Sequence, residues 1–368
     1  MPPVLLGCVS GFLGAGKTTA MAAAARELLA RGYRVGLVTN DQGQDLVDTA
    51  YLRSLGLPTQ EVAGGCFCCR FDDLVDRADR LITETGADIL LAEAVGSCTD
   101  IAATVYRPLR RFFPERFALA PLTVLVEPDR LAEIECSAFP DEVAYIFDRQ
   151  MAEADLVLLN KVDLVAPRQR HELERGLRER LREARVLGVS AATGIGVGEW
   201  IDRLLEGGEA GQQAMDVDYA AYARGEAALG WLNATFDVRA TTEVGPRELG
   251  LALLSGLRDG ARRRGVALAH AKVLVASPEG CVRVAVTSTG GATPQWSGEP
   301  ELGPAQELSA IVNARAGTDP ESLATIVRDA VRAASDRLLA QTHERHFECF
   351  SPLPPVPRHR LPAPARER

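Results

Sequence analysis

The chain is poor in aromatic residues, has no excess of basic residues, and contains no long apolar segment. Aromatic side chains make up 5% of its 368 residues, and 41 Lys and Arg face 50 Asp and Glu, which gives a formal net charge of −9. A net negative charge of this size does not provide the basic surface that non-specific nucleic-acid binding requires. No apolar run approaches the roughly 20 residues needed to span a bilayer. We therefore expect neither nucleic-acid nor membrane partners.

The amino terminus also lacks the basic segment and the cleavage site of a secretory signal. Its short apolar run ends at a glycine-rich loop, and we expect a cytoplasmic protein. In a reducing cytosol the eight cysteines are not expected to form a disulfide framework, which leaves metal binding or reactive thiols as functional roles. Cys8, Cys136 and Cys281 stand alone in the sequence, and we interpret them as packing residues.

Short apolar runs alternate with helical patterns over the first part of the chain. The runs that predict buried strands lie at residues 3–9, 34–39, 89–93, 122–127, 155–160 and 185–190. The helical patterns lie at residues 18–29, 71–85, 140–153 and 167–183. This alternation predicts an α/β fold for residues 1–206, with a parallel sheet and helices on both faces.

The pattern changes after residue 206. A polar, glycine-rich stretch begins a linker that we assign to residues 207–228. Residues 229–340 carry strand patterns and two long helical patterns, which predict a smaller C-terminal α+β domain with an antiparallel sheet. Residues 341–368 become proline-rich, and we expect an extended, partly disordered tail.

Residues 11–18, GFLGAGKT, fit the pattern G-x-x-x-x-G-K-[ST] between a predicted strand and a predicted helix. Such a loop curls its backbone N–H groups around phosphates. Lys17 would bring a positive charge to the β- and γ-phosphate oxygens, and Thr18 would place its hydroxyl on Mg²⁺. The predicted phosphate-side residues are Gly14, Ala15, Gly16, Lys17, Thr18 and Thr19. The alternative, a plain glycine-rich turn, is disfavoured because the pattern is complete and correctly placed, so a P-loop NTPase sheet is predicted.

The sequence N-K-V-D occupies residues 160–163, at the end of a predicted strand. Asp163 would face the N1 and N2 donors of guanine, whereas adenine offers an acceptor at N1, so the carboxylate disfavours ATP. Asn160 and Lys161 complete the motif, and Ser190 follows the next strand in a loop suited to backing the base. The predicted nucleotide is therefore GTP.

Two carboxylates are predicted near the metal-bound phosphates. Glu93 ends a buried strand, where it could hold the hydration shell of Mg²⁺ or orient the attacking water. Gly96, three residues on, could present its N–H to a γ-phosphate. Asp41 follows the second strand and is the other carboxylate predicted to face the metal. The alternative for Glu93 is an ordinary surface residue at a strand end.

Three cysteines lie within four residues, in the segment GGCFCC at residues 64–69. Soft thiolates favour Zn²⁺, Cu⁺ and similar ions, so Cys66, Cys68 and Cys69 are predicted metal ligands. Three sulfurs leave a site that is open, or that is completed by another residue or subunit. Redox-active thiols and structural packing are the alternatives.

Taken in order, the phosphate loop SGFLGAGKTT, the GGCFCC cluster, the Glu93-x-x-Gly96 element and NKVD resemble the CobW-type metallochaperone GTPases. Relatives of that family include the urease and hydrogenase nickel-insertion GTPases. The resemblance covers about residues 4–205 and, more loosely, the C-terminal domain. It implies slow, metal-responsive GTP hydrolysis, with the C-x-C-C motif as the metal site.

The resemblance also implies partners. A transition metal ion, Zn²⁺ first and Co²⁺ or Ni²⁺ as alternatives, would be delivered to a client metalloprotein, and a nucleotide-dependent homodimer is plausible within the family. Three segments depart from the family pattern. Where the family usually has N-E-x-G-E, this chain has N-D-Q-G-Q at residues 40–44. The family's threonine-rich stretch beside the glutamate is replaced by Ala94-Val95, and its V-D at the end of the next strand is replaced by Glu127-Pro128.

The predicted function is that GTP and Mg²⁺ order the thiol segment, raise its affinity for the metal, and release the ion after hydrolysis. One alternative is a GTPase that escorts or reactivates a corrinoid-dependent enzyme. Another is a GTP-gated metal sensor or buffer with negligible turnover, and a third is a small-molecule kinase. A second possible metal site, His343, His346 and Cys349, has helical spacing, although a solvated helix end is the favoured interpretation.

Overall fold

The computed structural model describes residues 2–43, 46–207, 210–213, 215–287, 293–298 and 301–362. These residues form two compact units. The first unit takes the described residues of 1–42, 57–225 and 354–368, and the second takes those of 43–56 and 226–353. Each unit is therefore built from segments that are distant in the sequence.

Helices and strands alternate along the first unit. Its strands are β1 (Val4–Gly11), β2 (Val35–Asn40), β3 (Thr59–Val62), β4 (Ile89–Glu93), β5 (Phe117–Leu119), β6 (Thr123–Val126), β7 (Leu156–Leu159) and β8 (Arg185–Gly188). The α-helices of the described residues are α1 (Lys17–Ala30), α2 (Val47–Ser54), α3 (Phe71–Thr85), α4 (Arg107–Phe112), α5 (Pro128–Glu135), α6 (Asp141–Ala152), α7 (Pro167–Arg180), α8 (Val197–Leu205), α9 (Tyr219–Ala227), α10 (Pro246–Arg263) and α11 (Pro320–Arg337). A π-helical turn (Ala102–Tyr106) precedes α4, and a 3₁₀ turn (Val162–Leu164) follows β7. None of the helices in the described part of the chain has the length and apolarity that a membrane crossing requires.

The sheet of the first unit is parallel, in the order β3-β2-β4-β1-β6-β7-β8, with β5 paired beside β1. Strands such as β4 and β7 are buried along their whole length, as continuous apolar runs in a doubly covered sheet should be. The predicted P-loop α/β class is confirmed. Because all strands run the same way, β1, β2 and β4 end at one edge of the sheet, and this edge carries Gly11, Asn40 and Glu93.

The second unit is built on a six-stranded antiparallel sheet. Its strands are β9 (Gly230–Val244), β10 (Leu268–Ser277), β11 (Gly280–Val286), β12 (Gln295–Gly298), β13 (Ala305–Ala316) and β14 (Ala340–Phe350). They are ordered β12-β11-β10-β13-β9-β14. Apolar side chains from one face of this sheet pack with those of α10 and α11 into a single core, so the predicted α+β class of this unit is confirmed.

The predicted end of this domain at residue 340 is wrong. Residues 340–350 form β14, which pairs antiparallel with β9 instead of starting a proline-rich tail. The strand lies at the edge of the sheet, and its first half is mostly exposed, so its polar sequence lacks the alternation that identifies a half-buried strand.

Helix α2 belongs to the second unit, although in the chain it lies between β2 and β3 of the first. The Asp48 carboxylate lies 2.5 Å from Lys272 Nζ and 3.2 Å from Arg283 Nη1. The Arg283 guanidinium stacks 4.1 Å from the Tyr51 ring centroid. Lys272 and Arg283 alternate along their strands with Val273 and other core residues, so α2 covers the sheet face opposite to α10 and α11.

We expect Asp48→Ala to lower the free energy of unfolding of the second unit by about 3 kcal/mol, because it leaves two largely buried cations without their carboxylate. Chemical denaturation followed by circular dichroism measures the change. Asp336→Ala, an exposed carboxylate on α11, is the matched control and should change stability by less than about 0.5 kcal/mol. Equal effects of the two substitutions would contradict a stabilising role for the Asp48 ion pairs.

Candidate nucleotide and metal site

The loop between β1 and α1 has the backbone geometry of a phosphate cradle. Gly14 and Gly16 adopt φ angles of +86° and +93°, which side chains with a Cβ rarely reach. A Cβ on Gly16 would lie 2.4 Å from Asn160 Nδ2, so the loop also needs a glycine there to pack closely. Helix α1 has no acidic residue in its first turn and no side-chain cap, which leaves its N-terminal N–H groups suited to an anion.

The two side chains that follow the loop glycines lie where the sequence predicts phosphate and Mg²⁺ chemistry. Lys17 Nζ donates to the carbonyl oxygens of Gly11 at 2.8 Å and Phe12 at 3.4 Å. Thr18 Oγ1 donates to Glu93 Oε1 at 3.0 Å, and both side chains are buried. A hydroxyl and a carboxylate at this distance form the hard-oxygen pair that Mg²⁺ prefers, so the residues present fit a Mg²⁺ site.

Gly96 brings the segment after β4 against the phosphate loop. A Cβ at this position would lie 2.6 Å from Leu13 Cδ2 and 3.2 Å from Leu13 Cα. Its carbonyl oxygen accepts from Gln150 Nε2 at 3.0 Å. The close approach requires a glycine, and it leaves the Gly96 backbone beside the loop that is predicted to hold the phosphates.

The predicted base-binding residues are joined to the phosphate loop through Asn160. Its Nδ2 donates to the Ala15 carbonyl at 2.8 Å, and its Oδ1 accepts from the Ala191 N–H at 3.0 Å. Asp163 is exposed and lies in a 3₁₀ turn (Val162–Leu164) that begins two residues after Asn160, and Ser190 Oγ accepts from the Thr193 N–H at 3.2 Å. The N-K-V-D segment, the Ser190 loop and the phosphate loop therefore form one continuous edge.

Lys161 has a role that the sequence did not suggest. Its backbone adopts φ +63°, and its ammonium pairs with the Glu127 carboxylate at the end of β6. Burial raises the pKa of Glu127, and the neighbouring Lys161 opposes that rise. Glu127-Pro128 stands where the family pattern has V-D, so the carboxylate that pairs with Lys161 lies one residue before the position of the expected aspartate.

The three clustered cysteines form a compact sulfur group. The Sγ atoms of Cys66 and Cys69 are 3.4 Å apart, those of Cys66 and Cys68 are 2.6 Å apart, and those of Cys68 and Cys69 are 3.7 Å apart. Within the described ranges this is the one set of three or more His, Cys, Asp or Glu side chains whose ligand atoms converge, all within 4.8 Å. Three soft ligands at this separation could hold one thiophilic ion.

Asn40 fixes the thiol loop to the end of β2. Its Nδ2 donates to the carbonyl oxygens of Val62 at 2.9 Å and Gly65 at 2.7 Å, and its Oδ1 accepts from the Phe67 N–H at 2.9 Å. Sequence analysis did not predict this role for Asn40. An asparagine at the end of a mostly apolar strand was the available signal, since a buried amide must find partners.

The predicted metal-facing carboxylate, Asp41, is the residue after Asn40. Its side chain is half-buried, and its N–H donates to the Val62 carbonyl at 3.2 Å. The segment that carries the predicted metal-facing carboxylate is thus hydrogen-bonded to the strand that leads into the thiol loop.

A fourth thiol, Cys98, belongs to this environment and was not predicted. The pKa of Cys66 is lowered well below its usual value because the thiols of Cys68, Cys69 and Cys98 donate to its sulfur. The pKa of Cys68 is raised, first by its hydrogen bond with Cys66. A separate hydrogen bond between Cys66 and Cys69 is the main reason that the pKa of Cys69 is raised to about 11.

Residues 354–361 lie against the thiol loop, where an extended and partly disordered tail was expected. Val356 N–H donates to Cys69 Sγ at 3.3 Å, and Arg358 N–H donates to the Cys68 carbonyl at 2.8 Å. The Arg360 guanidinium donates to the Asp100 carboxylate at 2.7 Å. Hydrogen bonds on both sides of the segment therefore hold it across the cluster, which its proline-rich sequence alone could not reveal.

The second possible metal site, which the sequence analysis disfavoured, does not form among the described residues. His343, His346 and Cys349 lie on β14, so the helical spacing that suggested a shared face does not apply, and the described residues do not bring the three ligand atoms together. The Cys349 thiol instead donates to the Pro320 carbonyl at 3.0 Å.

The isolated cysteines differ from the clustered ones. Cys8 is fully buried, and burial raises the pKa of its thiol to about 12, so it stays a neutral packing residue. Cys281 is also buried, whereas Cys136 is exposed.

Glu153 is a buried carboxylate beneath the segment that follows Gly96. Its Oε1 accepts from Thr99 Oγ1 at 3.2 Å, and its Oε2 accepts from the Ala102 N–H at 3.1 Å. Burial is the main reason that its pKa is raised to about 8. The folded protein therefore holds a proton at neutral pH that the unfolded chain has already released.

We expect Glu153 to make the protein less stable as the pH rises from about 5 to about 8, because the folded state binds more protons than the unfolded state across that window. The slope should reach up to about 1.4 kcal/mol per pH unit. Glu153→Gln should flatten it, and Glu135→Gln, at an exposed position, should not. Unfolding free energies measured at several pH values test this, and an unchanged slope in Glu153→Gln would assign the pH dependence elsewhere.

Comparison with known proteins gives a family for the first unit. The family model described as CobW/HypB/UreG, nucleotide-binding domain, matches residues 5–187. The zinc chaperone CobW of Sinorhizobium sp is 29% identical over 190 residues, which cover 43% of this chain and 50% of that protein. The zinc chaperone YjiA of Escherichia coli (strain K12) is 28% identical over 181 residues, with coverages of 47% and 54%.

A third relative is the hydrogenase maturation factor HypB of Cupriavidus necator. It is 42% identical over 87 residues, which cover 22% of this chain and 24% of that protein. The chain spans about half the length of the two zinc chaperones that it matches.

Proposed function

The nucleotide-binding domain of this chain belongs to the CobW/HypB/UreG family of GTPases, and from that premise we propose that the protein is a metallochaperone. With GTP and Mg²⁺ bound it would hold a transition metal ion tightly, and hydrolysis of GTP would release the ion to a client metalloprotein. The observation that carries the proposal is the group of three converging sulfurs on a loop hydrogen-bonded to the end of β2. Zn²⁺ is the first candidate cargo, because thiolate ligands suit it and two relatives are named zinc chaperones. Co²⁺ and Ni²⁺ are the alternatives.

The phosphate side of the proposal assigns one task to each residue. Lys17 neutralises charge on the β- and γ-phosphates, and the N–H groups of the Gly14–Gly16 turn surround them. Thr18 and Glu93 would hold Mg²⁺, which supplies charge neutralisation between the phosphates when bound. Gly96 offers its N–H to the γ-phosphate, and Asp41 is the second carboxylate that would face the metal.

The residues predicted to contact the nucleotide base would select GTP. Asn160 holds the phosphate loop and the Ser190 loop together. The exposed Asp163 is then available to accept from the N1 and N2 donors of guanine. Adenine lacks that pair of donors, so we expect GTP to be preferred over ATP.

Coupling between nucleotide and cargo would run through the two segments that meet at this edge. Asn40 joins the thiol loop to the strand end before Asp41, and Gly96 joins the segment after Glu93 to the phosphate loop. Binding linkage then requires that metal tighten GTP binding by the factor by which GTP tightens metal binding.

The decisive experiment measures metal affinity of the anaerobically purified full chain with GTP, GDP and no nucleotide, by competition with a chromophoric chelator. We expect tighter Zn²⁺ binding with GTP than with GDP by about 5- to 150-fold, and GTP turnover that changes when metal is added. ATP in place of GTP is the nucleotide control, and Cys136→Ala, which removes an exposed cysteine, is the protein control.

Equal metal affinity with GTP and GDP would reject nucleotide-driven delivery. A GTP-dependent affinity without measurable turnover would instead favour the metal sensor or buffer. Size measurements with each nucleotide test the proposed homodimer, and transfer of the ion to an apo-metalloprotein tests the client role.

A further inference from the structure

Residues 354–361 form a segment outside the helices and strands, the strap, that lies directly against the three-cysteine cluster. Val356 N–H donates to Cys69 Sγ at 3.3 Å, and Arg358 N–H donates to the Cys68 carbonyl at 2.8 Å. Both donors are backbone groups, and Val356 lies 287 positions after Cys69 in the sequence. The strap therefore contacts the cluster at one predicted ligand atom and at the backbone of the loop that carries it.

The far end of the strap is tied to the segment after β4. Arg360 Nε lies 2.7 Å from Asp100 Oδ2, and the Asp100 side chain is 2% exposed. Leu361 N–H donates to the Ala103 carbonyl at 2.9 Å, and Arg107 Nη1 donates to the Leu361 carbonyl at 3.0 Å. The strap is thus fixed beyond the cluster as well as on it.

The contacts of the strap are few enough for it to open locally. The His359 ring packs 5.2 Å from the Phe71 centroid and 5.0 Å from the Phe112 centroid, whereas the side chains of Val356 and Arg358 are exposed. A segment with little buried apolar surface opens at a lower free-energy cost than global unfolding. Its several prolines restrict the open segment, which lowers the entropy cost of closing again.

Access to the sulfurs is narrow while the strap is in place. Cys66 and Cys68 are 3% and 4% exposed, and Cys69 is the cysteine of the cluster that is partly exposed. The strap bonds to the thiol of that same residue. An ion that reaches or leaves the three sulfurs therefore needs an opening, and the strap lies on the accessible side of the cluster.

We propose that the strap is a gate over the sulfur site, which sets the rates at which a metal ion enters and leaves without supplying a ligand. The inference rests on the proposed metal-binding function and adds kinetic control to it. A metallochaperone has to retain its ion in the presence of competing ligands and still release it to a client. A segment that closes over the sulfurs and opens locally meets both requirements.

The first test measures metal exchange of the anaerobic full-length protein by stopped flow. One arm follows Zn²⁺ loading, and the other follows transfer of one bound equivalent to an excess of a chromophoric chelator. Arg360→Ala removes the ion pair that holds the strap, and we expect both rates to rise about 5- to 30-fold. The affinity should stay within about twofold, because opening precedes loading and release alike.

The matched control is Arg358→Ala in the same segment. Arg358 pairs with Asp72 at 3.3 Å, and both side chains are more than half exposed. An exposed pair contributes little to stability, so we expect both rates to stay within about twofold of wild type.

A second pair of variants tests the contact with the sulfur itself. Val356→Pro removes the N–H that bonds to Cys69 Sγ, at a position that already lies between two prolines. Release should become about 2- to 10-fold faster, as expected for the loss of one hydrogen bond. Val356→Ala keeps the N–H and removes a side chain that is 75% exposed, so it should behave as wild type.

A measurement on the metal-free protein separates the gate from the proposed function. In a Cys136→Ala background, which removes an exposed thiol, a soluble thiol reagent is added and the modification of Cys69 is followed by peptide mass mapping. Arg360→Ala should raise this rate by the factor that it gives for metal release. Thermal unfolding and GTP binding verify that each variant is folded.

Unchanged rates of metal exchange and of thiol modification in Arg360→Ala and Val356→Pro would overturn the gate and leave the proposed function intact. Faster release with unchanged loading in Arg360→Ala would also overturn it, since the strap would then contribute to metal affinity and not to access. A wild-type protein that bound no Zn²⁺ would reject the proposed function instead. Thiol modification would in that case decide alone whether the strap controls access to Cys69.

Discussion

Lys17→Ala is expected to lower the rate of GTP hydrolysis by about 10²–10³-fold. The Lys17 ammonium is buried and lies 2.8 Å from the Gly11 carbonyl, inside the turn that would surround the phosphates. A preorganised charge in a water-excluded site contributes far more than the same charge in solvent, and removal of one such donor commonly costs about 3–4 kcal/mol in the barrier. Phosphate release under saturating GTP measures the change in kcat, and titration of GTP measures the change in KM.

The matched control for this prediction is Arg26→Ala. Arg26 is an exposed cation on the same helix, so its loss tests whether any positive charge on α1 contributes to turnover. We expect its rate to stay within about twofold of wild type. If Lys17→Ala retained the wild-type rate while remaining folded, the loop would not be the phosphate site, and the assignment of the P-loop would be wrong.

Much of the first unit could be predicted because its determinants are local. The buried strands β4 and β7 are short continuous apolar runs, and helix α3 has the predicted bounds, Phe71–Thr85. The phosphate loop and N-K-V-D are also local, since each needs only neighbouring residues in a fixed pattern. Their meeting through Asn160 follows from the parallel sheet, because strands that run the same way end at one edge.

Other features depend on contacts between distant residues, and the sequence pattern could not supply them. Helix α2 has only eight residues, and its place is set by an ion pair between Asp48 and Lys272 that no local pattern reveals. Strand β14 is an exposed edge strand with a polar sequence. Both were missed because tertiary pairing, rather than local propensity, determines them.

The candidate site also combines features set by local sequence with features set by contacts between distant residues. The convergence of the clustered cysteines could be predicted from their spacing alone. The contact of Cys98 with their thiols could not, because a helix and a strand separate it from them in the sequence. Asn40 is a similar case, since its importance lies in three hydrogen bonds to residues more than twenty positions away.

Replacing Cys66, Cys68 and Cys69 together by alanine is expected to abolish specific Zn²⁺ binding, with an affinity loss of more than about 10³-fold. The cluster supplies the three predicted sulfur ligands, and structural zinc sites owe about 10–16 kcal/mol of apparent binding free energy to their complete ligand sets. Elemental analysis after purification with GTP gives the stoichiometry, and chelator competition gives the affinity.

GTP binding should survive this triple substitution, because Lys17, Thr18 and Asn160 are untouched and hold the phosphate loop through their own contacts. The single substitution Cys281→Ala, which removes a buried cysteine of the second unit, is the control for loss of a packed thiol and should leave metal content unchanged. A triple variant that bound one equivalent of Zn²⁺ as tightly as wild type would place the metal elsewhere. Loss of GTP binding together with loss of metal would show instead that the substitutions had unfolded the first unit. In that case the single variants Cys66→Ala and Cys69→Ala, each measured for metal and for GTP, would show whether metal binding falls while GTP binding is kept.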